Sequence, residues 1–180
     1  MTDAVFGVQR SEVNLRLRPF RIGDEREALA AHTELSKEHF PFLLGWEPDQ
    51  PWAAYLQRLA DRRRGVDVVP GWVPATFLAA DLAGVLVGRV SIRHELNEFL
   101  ESFGGHIGYA VRPAYRSRGI ATEILRQALI IARGEGIDEV LLTCDEDNVV
   151  SAHIIERFGG ALQDIRTEPD GQAKRRYWIR

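Results

Sequence analysis

The run Arg116-Ser117-Arg118-Gly119-Ile120-Ala121 holds residue types whose spacing suits the binding of an anion. It lies between an extended apolar segment, His106-Ile107-Gly108-Tyr109-Ala110-Val111, and a segment whose Ile120, Ile124, Leu125, Ala128 and Ile131 recur at helical spacing. A turn that opens directly into a helix presents backbone N–H groups with no partner inside the helix, and the helix dipole adds positive potential there. Gly119 lets the main chain come close to an anionic ligand, and Arg116 and Arg118 add charge-assisted contacts to the same oxygens. The expectation is a phosphate cradle. Ser117, Ile120, Ala121 and Thr122 supply the rest of its main chain.

The elements that must position this turn follow from periodicity and punctuation. Residues 13 to 19 alternate as a half-buried strand, and Asp24 is expected to cap a helix running to about His39. An apolar loop from Pro41 to Pro48 leads to a second helix that Asp49 and Pro51 open and Gly65 ends. Two strands covered on both faces span Thr76 to His94 around a turn at Leu82-Ala83-Gly84, and Leu96 to Gly105 forms a short helix or loop. After the strand ending at Val111 and the helix to about Arg133 come a buried strand Glu139 to Asp145 and a helix Asn148 to Phe158. Two final strands surround Pro169-Asp170-Gly171. This is a mixed α/β domain in which a strand-helix-strand crossover carries the phosphate turn.

A chain of 180 residues is most simply one domain, with residues 1–12 as a flexible N-terminal segment. It buries roughly 70% of the surface its unfolded chain would expose and needs no disulfide or metal staple. The single Cys144 points to a reducing, cytoplasmic setting, and Met1 to Arg10 shows no hydrophobic leader run. A net charge of -3 argues against a dedicated nucleic-acid binder, and no apolar run reaches the length of a bilayer span. The basic runs Arg62-Arg63-Arg64 and Lys174-Arg175-Arg176 read as solvated surface. The five histidines lack metal-ligand spacing, so no metal is expected.

The spacing Arg116-x-x-Gly119-x-Ala121, with Asn148-x-x-Ser151 further on, resembles the signature of the GNAT superfamily of acyl-CoA-dependent N-acetyltransferases. His106-Ile107-Gly108-Tyr109 and Asn148-x-x-Ser151 are most similar to its RimJ/RimL-like branch. The resemblance, which runs from about Leu15 to the C-terminus, implies a central mixed, mostly antiparallel sheet flanked by helices, with two central strands splayed apart. Acetyl-CoA would lie in the gap, its pantetheine arm paired with a free strand edge. The backbone from Tyr109 to Val111 would stabilise the thioester oxygen, and Asn148 would hold the sulfur region. In that branch the residue before Ile-Gly-Tyr is usually Glu; here it is His106, an imidazole able to act as general base. Many members place an acidic Tyr where this chain has Ile155, and Ser151 takes over as the proton donor to the leaving thiolate. Glu95, Glu98 and Glu101 are rival groups that could attract a cationic amine at the acceptor mouth.

The expected partners are thus acetyl-CoA and an amine acceptor, with a second copy of the chain as a homodimer partner, and no nucleic acid or membrane. Each site residue also has a plainer role: Asn148 and Ser151 as helix caps, His106 as a satisfied strand histidine, the glutamates as a solvated face. Two competing classes share the fold features. One is a non-catalytic acyl-CoA-binding or interaction module; the other is a nucleotide-binding α/β domain, which lacks its glycine fingerprints here.

Overall fold

A computed structural model of the protein describes residues 14–180, so Val13 and the N-terminal segment lie outside the described residues. Seven strands form two sheets. β1 (Leu15–Pro19), β2 (Ala75–Leu82), β3 (Val85–Arg93) and β4 (Ile107–Val111) make an antiparallel sheet in that order. β5 (Val140–Asp145), β6 (Ala161–Thr167) and β7 (Ala173–Ile179) make a second, ordered β5-β7-β6. The helices are α1 (Glu25–Ser36), α2 (Trp52–Arg63), α3 (Ile120–Gly134) and α4 (Val149–Arg157).

Hydrophobic patterning sets the layers. α3 turns Ile120, Ile124, Leu125, Ala128, Leu129 and Ala132 onto one face of the sheets, where they join Val90, Ile92, Ile107 and Leu142 in the larger core. α1 and α2 cover the opposite face of the first sheet with Ala28, Ala31, Leu35, Trp52 and Tyr55 against Phe20, Phe77 and Leu86. β2 and β3 are therefore buried on both sides. The outer edge of β1 is closed by Gln127 of α3, whose side chain accepts from Leu17 N–H (3.0 Å) and donates to Leu15 C=O (2.7 Å).

Several local expectations change. The first helix ends at Ser36, and Asp24 does not cap it: its carboxylate takes Arg21 N–H (2.7 Å) and the Arg18 guanidinium (2.6 and 2.9 Å) instead. The ionic partner outcompetes the helix amides for the same oxygens. The basic runs are not uniformly solvated either. Arg176 is 1% exposed, bound to Asp164 (2.7 and 2.8 Å) and to Glu101 C=O (3.0 Å), while Arg62 stacks over Trp72 at 4.3 Å and donates to Val73 C=O.

Among the described residues, the two sheets are hydrogen-bonded to one another through one residue pair. His106 donates its N–H to Leu141 C=O (2.7 Å), and Leu141 returns its N–H to the imidazole Nδ1 of His106 (2.9 Å). The carbonyl of His106 faces the other way and accepts from Arg93 of β3 (2.8 Å). A side chain thus substitutes for the backbone acceptor that a continuous ladder would supply. β4 and β5 both begin at this contact and diverge beyond it, as the resemblance implied. Gly105 makes the approach feasible: its φ is +65°, and a Cβ there would stand 2.6 Å from Leu141 C=O.

Burial, then the nearby Arg93, holds the His106 pKa below its ordinary value of 6.5. His32, whose Nδ1 accepts Leu43 N–H (3.1 Å), and His94 are depressed in the same direction by burial. The folded state therefore favours neutral imidazoles. Well above pH 6.5 these three imidazoles are neutral in both the folded and the unfolded chain; as pH falls through that value the unfolded chain takes up protons first and stability declines. His106→Ala should lower stability at pH 7.5 by about 1–3 kcal/mol, since it orphans the buried Leu141 N–H. It should also flatten the loss between pH 7 and 5, both measurable by urea unfolding. An unchanged midpoint and slope would remove the clamp from this account.

Candidate active site

The turn before α3 has the geometry of an anion receptor. Ser117 and Gly119 both adopt left-handed conformations, φ 61° and 76°, so the main chain curls and turns its N–H groups to one side. Glu123 N–H is the first to bond within the helix, to Gly119 C=O (3.0 Å). Among the described residues, the N–H groups of 117–122 have no protein acceptor. They sit beside a cleft of about 690 Å³ whose wall includes Ser117, Gly119, Ile120, Ala121 and Thr122.

The two arginines of the motif behave differently. Arg116 lines the cleft, donates Nε–H to Val111 C=O (3.1 Å) and forms a fork with both carboxylate oxygens of Glu38 (3.0 and 2.6 Å). That fork holds the Glu38 carboxyl below its usual range. Arg112 makes the same arrangement with Glu34, one turn earlier on the same side of the molecule (2.9 and 2.6 Å). Arg118 stands over the Tyr115 ring at 5.8 Å and does not line the cleft.

From the turn, the cleft runs along β4. The carbonyl of His106 and the N–H of Arg112 both serve β3, the latter through Val87 C=O (2.9 Å). Antiparallel alternation then points the N–H groups of Tyr109 and Val111 away from β3 into the gap. Opposite them, Asn148 caps α4 by accepting Ser151 N–H on its side chain (3.0 Å). Ser151 Oγ lies 3.5 Å from the Tyr109 hydroxyl, a long contact that brings two donors to one point. Burial, the dominant influence, raises the Tyr109 pKa and keeps the phenol protonated.

Tyr109, Asn148, Ser151 and Phe40 also border a second cleft of about 300 Å³, which continues past the strand edge toward Arg89, Arg93, Thr143, Cys144 and Asp145. Burial pushes the Cys144 thiol up to about 11, so it is no ready nucleophile.

The sequence-predicted residues divide accordingly. Tyr109, Val111, Arg116, Ser117, Gly119, Ile120, Ala121, Thr122, Asn148 and Ser151 converge on the first cleft. His106 does not: it lines neither cleft, and the lone pair a base would use already accepts Leu141 N–H. Glu95, Glu98 and Glu101 also line neither cleft. Glu95 sits in a bend, Glu101 in a π-helical turn (Leu100–Gly104), and all three side chains are exposed, so the expected shared helical face does not form. Residues the motif reading missed include Glu38, Arg89, Arg93 and the phenol of Tyr109. A visible signal existed for Arg89, a lone cation in the middle of a strand patterned for burial on both faces.

The Glu38 carboxylate competes for the cation that faces the anion cradle. Glu38→Gln should tighten CoA binding by about two- to tenfold, with a steeper decline of affinity in salt, because Arg116 is freed and a negative charge is removed. Calorimetry at two ionic strengths measures this, and weaker binding would mean that Glu38 positions Arg116.

Comparison with known proteins agrees with this geometry. A family model described as an acetyltransferase (GNAT) domain matches residues 14–161. The chain is 30% identical over 151 residues to a mycothiol acetyltransferase of Thermobispora bispora, covering 81% of this chain and 46% of that protein; it thus spans about half the length of that relative. Among solved structures, Mycobacterium smegmatis RimJ in complex with CoA-disulfide superposes with a TM-score of 0.65 at 20% identity, over 92% of this chain and 81% of that one. A ribosomal-protein-S5-alanine acetyltransferase from Vibrio fischeri gives 0.65 at 14% identity, over 92% of each chain. The yncA protein from Salmonella typhimurium, solved with acetyl-CoA, gives 0.63 at 12% identity, over 93% and 94%. With the family model matched across most of its length and the splayed sheet and helix-start cradle in place, this chain belongs to the GNAT acetyltransferase family.

Proposed function

We propose that this protein is an N-acetyltransferase that moves an acetyl group from acetyl-CoA to a primary amine by direct attack. One observation carries the reading: an anion cradle at the start of α3 leads along the unpaired edge of β4 to Ser151 and Tyr109, and there meets a second cleft open to an acceptor. The N–H groups of residues 117–122 hold the phosphates. The N–H groups of Tyr109 and Val111 pair with the pantetheine arm and receive the negative charge that develops on the thioester oxygen.

The neutral amine forms the C–N bond as the C–S bond breaks. Nitrogen loses one proton and sulfur gains one. Ser151 of α4, backed by the protonated phenol of Tyr109 on β4, supplies the proton to the thiolate, the function that many family members give to a tyrosine further along the same helix. The proton leaving nitrogen passes to water in the acceptor cleft. Asp145 is the one carboxylate on that wall among the described residues, and it is ion-paired to Lys174. The RimJ/RimL-like resemblance and a protein or peptide N-terminus as acceptor fit this reading, as does a small amine.

Ser151→Ala should slow turnover about 10- to 100-fold while changing acetyl-CoA affinity less than about tenfold, the pattern of an interaction used mainly in the transition state. Tyr109→Phe should cause a loss of similar size, and the double variant little more than either alone. Stopped-flow detection of thiol release tests this. Full CoA binding with no acetyl transfer to any amine in a broad panel would instead favour a non-catalytic acyl-CoA-binding module.

A further inference from the structure

The floor of the second cleft is cationic. Arg89 and Arg93 of β3 lie on one face of the strand and both line the cleft. Elsewhere Arg18, Arg112, Arg116 and Arg176 each have a carboxylate partner. Arg89 and Arg93 have none among the described residues and bond only to main-chain carbonyls. Arg89 donates to Phe42 (3.1 Å), Gly108 (3.0 Å) and Pro41 (3.0 Å) and lies over the Phe40 ring at 4.9 Å. Arg93 directs Nη1 alone to Gly104 (2.9 Å) and Gly105 (3.1 Å). Its Nε and Nη2, the edge that matches a carboxylate with two parallel bonds, have no protein partner among the described residues.

The surroundings do not balance these charges. Lys174 and Asp145 of the same cleft neutralise one another. Burial, then Arg93, weighs against charge on Arg89, yet a guanidinium keeps its proton in such a site. Between the two on the same face lies Ser91, fully buried, whose hydroxyl has no hydrogen-bond partner among the described residues. Gly108 removes the side chain that would otherwise cover this floor: a Cβ there would stand 3.4 Å from Arg93 Nη1.

From this cationic floor we infer that the acceptor is a small amino-carboxylate, whose carboxylate is gripped by the free edge of Arg93 beside Arg89 while its amine faces the strand edge at Tyr109. The inference rests on the acyl-transfer reading and narrows its substrate class. A polyamine would bring further positive charge onto two unpaired guanidinium groups and is selected against. Neutralising the substrate's carboxylate also withdraws the charge that favours its own ammonium form, so the amine loses its proton more readily.

The test is a matched acceptor series for alanine, leucine and phenylalanine: the free amino acid, its carboxamide and the decarboxylated amine, each with acetyl-CoA and the acetylated product measured by mass spectrometry. The amino acid should exceed its carboxamide in kcat/KM by at least about tenfold, since an unmet cationic site penalises the analogue lacking the partner. Arg93→Met should bring that ratio to within about twofold, and Arg93→Lys should retain part of it. Carboxamides or amines turned over by the wild type as well as the acids would overturn the inference, whether or not the variants fold. Calorimetry with N-acetyl-leucine against its carboxamide, on the CoA complex, needs no turnover. A carboxylate preference there without any catalysis would uphold the pocket and sink the acyl-transfer reading, while catalysis without the preference would do the reverse.

Discussion

The reciprocal hydrogen bonds between His106 and Leu141 hold together two sheets that separate immediately beyond them. An ordinary ladder would continue to the ends of β4 and β5 and leave no room for a ligand. Ending it after one pair exposes the edge of β4, and the crossover through α3 places the anion-binding turn at the far end of the opening. Histidine is well suited to the junction because its side-chain Nδ1 accepts from one sheet while its backbone carbonyl accepts from the other. A cleft with a fixed apex and two diverging walls results without any break in the surrounding core.

Electrostatics then fixes the open end. Glu34 and Glu38, a helical turn apart on or just beyond α1, each grip an arginine from the segment after β4. These forks tie the segment after β4 to α1 and the residues just beyond it. The Glu34 pair is the more shielded, with the Arg112 side chain 14% exposed, and Glu38 with Arg116 stays open to solvent at the cleft wall. The inner fork therefore acts as the anchor, and the outer one is the pair a polyanion can exchange.

Much of the first cleft's lining was legible because its determinants are local. The turn, Gly119 and the apolar spacing of α3 lie within a few residues of one another, and Asn148 with Ser151 forms a cap within one turn. The apex of the sheets and the second cleft were not. His106 finds its partner 35 residues away, and no spacing rule distinguishes an imidazole that abstracts a proton from one that accepts a backbone N–H. The glutamates at 95, 98 and 101 could be read only as a helical trio, but a bend and a π turn place them outside the clefts. The charge of the second cleft depends on the face that β3 turns toward Pro41 and Phe42, contacts spanning almost fifty residues.

The clamp carries its own optical reporter. Trp178 on β7 meets the imidazole of His106 edge-on, with ring centroids 6.3 Å apart. Its indole N–H donates to Gln163 Oε1. The other tryptophans, at 46, 52 and 72, belong to the N-terminal half of the chain. A charged imidazole quenches a neighbouring indole far more strongly than a neutral one, so emission from Trp178 follows the protonation and separation of the apex. Subtracting the spectrum of a Trp178→Phe protein isolates that signal, and the state of the apex becomes visible in intrinsic fluorescence, without a label.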